Sequence, residues 1–414
     1  LRNPASGNEL KLIQIKGADQ FERYSACMFD WPVFATAFRI FFLATGLHAL
    51  FVISVWLAKL TGSDILPTAI AGAWWHSYEM VFGFCRAAIL GFLFTAGQNW
   101  CGQQMLNRGP LAVVFAGWLA GRIAWFLPAP LFFVAAGVDI LGGVLALTRM
   151  RPLLQPAQKH NHKVVYLHAI YVAAQTVTLI ALAFPQSPLP VQHLIHVALF
   201  LVVAFIVIVA GRILPFFTAM AIPEAKPRVS QRLENIIFPA TLAVATLYAV
   251  LPLHDMLRYV VAAGLLVFAA LNAVRWLYWN PLASLKKPIL AILFSGYLWL
   301  LLGLVMLATA LASRAATSPA WHVLDIGSAA IFIYGMMTRV SLGHTGRPIR
   351  AGKLVQTGYI LMHTALAARV GLVLARQPFT AYTWSAVLWL VAFGLFAVVY
   401  AGILWQPRID GKPG

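Results

Sequence analysis

Apolar segments about 20 residues long, the length that crosses the hydrocarbon core of a bilayer as helix, recur along nearly the whole chain. Such a segment satisfies all its backbone donors and acceptors internally, which a membrane interior demands. Twelve are read, at 33–58, 69–97, 111–127, 130–148, 164–184, 191–215, 236–252, 256–279, 288–312, 321–342, 354–375 and 381–405. Prolines at 67, 110, 128, 152, 190, 252, 281, 288, 319 and 378 mark the joints, as helix stops and starts do. The short alternating segments of a barrel are not seen. The sequence therefore predicts an all-α, polytopic integral membrane protein of about twelve transmembrane helices. A cytoplasmic N-terminal segment at 1–30, a membrane domain at 31–406 and a short tail at 407–414 complete the expected organisation.

Charge sets the orientation. Hydrophobic residues make up 61% of the 414, and charged ones only 10%, well away from a soluble domain. An even number of helices puts both termini on one side with every second joint. Twenty-two Lys and Arg fall on that side, and five (Lys59, Arg122, Arg258, Arg314, Arg376) on the other. Positive charge collects in the cytoplasm, so both termini are expected there. The net charge of +18 is then a topology signal, and nucleic acid is not an expected partner; the lipid bilayer is. The first thirty residues lack the pattern of a cleaved leader. Three cysteines show no CxxC spacing, and no convincing internal repeat stands out.

Eleven histidines are many for so apolar a chain. Even-numbered segments start at the outer face. His76 opens the second, His193 and His196 the sixth, His254 the eighth and His322 the tenth. His76 with Glu79, His193 with His196, and His322 with Asp325 are i,i+3 pairs, and Met80 lies at i+4 from His76. Such spacings place side chains on one helix face. Imidazole and thioether ligate haem iron and copper, and a nearby carboxylate orients such a ligand. Any one histidine at a helix end competes with a plain interfacial role. Five at one depth favour metal binding for the group. His76 and His322 are the haem candidates. His193, His196 and His254 are the copper candidates, three nitrogens with a position left open.

Glu79, Arg86 and Arg39 are charges inside apolar segments, where each needs a partner. They read either as an ion-pair network between the first two helices or as a haem site. In the second reading Arg86 and Arg39 hold a propionate, which suits a guanidinium fork. Gly117 and Gly121 form a GxxxG, a helix-packing signal. The stretch GHTGRPIRAGK lacks phosphate-loop spacing.

Several motifs together resemble the NnrS family: FRIFF (38–42), WHSYEMVFGF (75–84), GFLFTAGQNW (91–100), GRILPFFT (211–218), GYLWL (296–300) and MMTRVSLGHTGRP (336–348). The resemblance implies a twelve-helix protein of the bacterial inner membrane carrying haem b and copper. It also implies a role in nitric oxide metabolism and nitrosative stress, with nitric oxide or a related small ligand as partner and an undefined electron donor. By the resemblance, His76, Glu79, Met80, Arg339, His344 and Arg347 match motif positions, and His322 leads into the last motif. Tyr78 and Phe294 stand where the pattern has histidines. Two functions follow: a haem/copper protein that binds or redox-processes nitric oxide species near the outer face, or a transporter for a metal or metal–nitrosyl complex.

Overall fold

Prolines and glycines set the helix limits where the sequence places them. A computed structural model describes residues 30–63, 65, 72–184, 186 and 190–412. Of the expected N-terminal segment, only Asp30 is among them. Helix α1 is Ala37–Leu60. Helix α2 covers 72–101 as three continuous stretches, Gly72–Tyr78, Glu79–Cys85 and Arg86–Cys101, the middle one wound as π-helix. Then follow α3 Arg108–Ala124, α4 Ala129–Arg149, α5 His162–Ala183 and α6 Val191–Ala221. The second half holds α7 Gln231–Ala249, α8 Leu257–Tyr278 and α9 Pro288–Ser313. The last three are α10 Ser318–His344, α11 Lys353–Leu374 and α12 Pro378–Trp405. Pro288 and Pro378 occupy first turns, where the missing N–H costs nothing. Gly102 ends α2 at φ 68°, a left-handed cap that other residues adopt at a penalty.

Eleven of these helices are long and apolar enough to cross a bilayer, and no strand occurs among the described residues. Helix α3, with 17 residues, lies at the short end of the spanning range. It pairs with α4 through glycine. A Cβ on Gly117 would meet the Val138 carbonyl at 3.1 Å and Gly142 Cα at 3.2 Å, so the two backbones touch as the GxxxG predicts.

The twelve helices form three successive four-helix units. The units open with α1, α5 and α9, at residues 37, 162 and 288. In each, the first helix packs on the second, and the third and fourth form a hairpin. Helix α4 packs on α5, α8 on α9, and α12 returns to α1, which closes the ring. The second helices α2, α6 and α10 are innermost, and α6 touches both others. This corrects the expectation of no internal repeat. The repetition lies in helix order and packing, while few residues recur: Trp75–His76–x–x–Glu79 matches Trp321–His322–x–x–Asp325, and α6 keeps only His196.

The ring closes on charge as well. Arg39 Nη1 donates to the carbonyls of Leu404 (3.1 Å) and Gln406 (2.6 Å) at the end of α12. A cation there complements the helix dipole. Arg408 donates to the His344 carbonyl (2.8 Å), and Ile409 N–H to that of Thr345 (3.2 Å). The Arg408 fork also holds the Asp410 carboxyl down to about 2. The start of α1 and the end of α12 therefore share one face of the molecule.

Candidate functional site

The charges of α2 find partners in α3, α4 and α5. Glu79 Oε1 accepts from Arg122 Nε (3.1 Å) and Trp125 Nε1 (2.6 Å), and its Oε2 lies 2.8 Å from Arg122 Nε and 2.9 Å from His48 Nε2. Arg122 reaches Asp139 at 3.2 Å, and Arg86 pairs with the same carboxylate at 2.8 Å. Gln175 donates to Asp139 (2.8 Å) and to the Tyr78 hydroxyl (2.9 Å). Two carboxylates and two guanidinia, none more than 5% exposed, thus neutralise one another. Burying them is tolerable because each is paired and hydrogen-bonded. Gly121 makes the space, since a Cβ there would lie 2.5 Å from Asp139 Oδ2.

Two expectations change here. Arg39 sits at the far end of α1 on the α12 carbonyls, away from Glu79. Arg86 bonds Asp139 and does not line the cavity described next, so neither arginine is placed to hold a propionate there. Arg122, counted among the outer loop charges, is buried in the network. Asp139 belongs to no motif; its one signal is a lone carboxylate in an apolar segment.

Between the opening turns of α2, α6 and α10 lies a cavity of about 530 Å³. His76, Met80, His196, His322 and Asp325 line it, with Trp56, Arg369 and Tyr382. Each four-helix unit contributes one histidine from its second helix. His76 stacks on Trp56 at 4.8 Å, and its Nδ1 is buried without a hydrogen-bond partner. His196 stacks on Trp321 at 4.0 Å, with Nδ1 3.2 Å from the Tyr248 hydroxyl and Nε2 3.0 Å from Gln192. His322 Nδ1 lies 2.8 Å from the Ser318 carbonyl. An oxygen with no hydrogen fixes the proton on Nδ1 and leaves the Nε2 lone pair available.

Within three residues of two of these histidines the helix widens. Glu79–Cys85 in α2 and Val323–Ala330 in α10 are π-helical. Such turns are rare and concentrate at functional sites. In α2 the result is a split: Met80 faces the cavity while Glu79 serves the ion network. The expected pairing of His76 and Glu79 on one face is therefore not formed. His322 and Asp325 do share the cavity wall.

The three copper candidates are not gathered. His193 stacks on Tyr248 at 4.7 Å and bonds the Ala249 carbonyl (3.2 Å). His254 Nδ1 accepts from Met256 N–H at 3.2 Å, a turn-forming role. Neither lines the cavity, and no group of three metal-binding side chains lies close enough to hold one ion among the described residues. Arg339 and His344 lie at the opposite end of α10, and Arg347 follows in the connection after it. Arg339 covers the Phe217 ring at 3.7 Å, and His344 packs on Phe38.

A ring of twelve helices around a buried charge network and a histidine-lined cavity defines a polytopic membrane protein with an internal cavity. The chain belongs to the NnrS family, membrane proteins linked to nitric oxide metabolism: the family model, described as NnrS protein, matches residues 32–408. Comparison with the curated proteins found no match.

Proposed function

We propose that the cavity is a haem site at which nitric oxide or a related small species is bound or redox-processed. The observation that carries this is the pair of available imidazole nitrogens, His76 Nδ1 without a partner and His322 Nε2 freed by the Ser318 carbonyl. The family's association with haem and copper supports it. The volume falls within the roughly 300–1,000 Å³ of small-molecule and cofactor sites. His76 and His322 would hold the group, with Met80 and His196 beside them; bound haem iron supplies a centre for diatomic ligands and one-electron chemistry. The chain's own part is to fix each ring. Trp56 and Trp321 restrict His76 and His196 by stacking, and Ser318 holds the His322 tautomer.

The transporter reading is weaker for a specific reason. Further along α2, α6 and α10, the central space is lined only by apolar side chains, among them Phe42, Phe205, Phe332 and Met337. A hydrated ion has no polar path there. The deciding measurement is an absorption spectrum with metal analysis on purified protein, before and after nitric oxide. A Soret band that shifts with nitric oxide is expected. A colourless, iron-free protein from haem-replete cells would overturn the reading.

The same proposal sets the site near the outer face of the bacterial inner membrane. Reporter fusions after Arg151 and Lys287 are expected to behave as cytoplasmic, and those after Gln186 and Ser318 as external. An inverted pattern would move the cavity to the other side.

A further inference from the structure

Arg369, near the end of α11, is the cation in the cavity wall. Its guanidinium carbon lies 4.4 Å from the Tyr382 ring centroid, so one face is covered by the tyrosine. Its Nη1 is buried and has no hydrogen-bond partner. Asp325 is the one carboxylate in the same wall, and the two form no ion pair among the described residues. Three fully buried arginines, by contrast, have carboxylate partners. Arg86 and Arg122 share Asp139, and Arg275 pairs with Glu234. A guanidinium is always charged and presents its donors as a planar fork. With one nitrogen shielded from water and no acceptor beside it, it is a group open to an anion.

We propose that Arg369 anchors an oxyanion of the cavity's ligand, with Tyr382 and Ser385 beside it. The cavity is far larger than a small inorganic anion requires, which favours a carboxylate carried on a bigger ligand. A porphyrin propionate meets that description; a free oxyanion presents the same chemistry to the fork and is separated from it by the test below. The inference rests on the cavity being the ligand site, and not on haem being the ligand. It also gives the guanidinium fork a place other than Arg39 and Arg86.

The test uses the full-length chain freed of haem, then offered haem b or its dimethyl ester, which lacks both carboxylates. The parent is expected to prefer haem b at least tenfold. Arg369→Gln is expected to take up both equally, while Arg369→Lys retains part of the preference and shows that the fold survives. Nitrite and acetate titrations, followed by fluorescence of Trp56, Trp321 and Trp389 in the cavity wall, separate the two sources. If neither porphyrin is taken up, the haem reading fails on its own. A saturable nitrite or acetate response that Arg369→Gln abolishes then still supports the anchor. Haem uptake without ester discrimination in the parent, and with no anion response, overturns the anchor while haem stands. Discrimination that survives Arg369→Gln overturns it too.

Discussion

Asp139→Ala is expected to remove most of the folded, monodisperse protein from detergent extracts. Asp139 is 1% exposed and meets Arg86, Arg122 and Gln175 at once. Its loss leaves two buried guanidinia with only Glu79 between them. Breaking a buried pair from one side costs about 3–5 kcal/mol. That is a large share of the roughly 5–15 kcal/mol that holds a typical protein folded. Five helices meet at this cluster, so the damage is not local. The contrast is Asp325→Ala, which removes an acid that faces the cavity and has no ion pair; its unfolding midpoint is expected to stay close to the parent's. The check is a thermal unfolding series with size-exclusion profiles. Equal midpoints for Asp139→Ala and the parent would show that the network contributes nothing to stability.

The second large effect concerns the two available imidazoles. A His76→Ala/His322→Ala protein is expected to retain less than about one-tenth of the parent's haem, since the side chains that would hold the iron are gone. Membrane insertion and elution volume are expected to be unchanged, because neither ring takes part in the ion network. Each single variant is expected to keep some haem with shifted optical bands. Haem content and bands identical to the parent's in the double variant would place the ligands elsewhere.

Much of the fold is legible in the sequence, because the bilayer imposes one length and one polarity on every helix. The limits of α9 and α12 are visible in Pro288 and Pro378. The three-unit ring is not, since packing order leaves little trace in residue identity. The depth of His76, His196 and His322 is readable from where they fall in their segments, and the cavity gathers these three. His193 lies in the first turn of α6, while His254 lies in the connection before α8, and their neighbours turn them to Tyr248 and to a local turn. Spacing alone cannot distinguish these outcomes. The partner of Glu79 also escapes a local reading. Arg122 and Asp139 lie on a distant hairpin, and the π-helical turn rotates Glu79 off the face that α-helical spacing assigns to it.

The closed ring bears on how the protein is made. The cavity wall draws on α1 and α2, which leave the ribosome first, and on α10, α11 and α12, which leave it last. Arg369 and Tyr382 arrive only with the final two helices, and α12 must then find α1 across the whole length of the chain. A nascent chain therefore has no completed site. Full enclosure of the cavity waits for the last helix, although α6 has by then already supplied His196 to its wall.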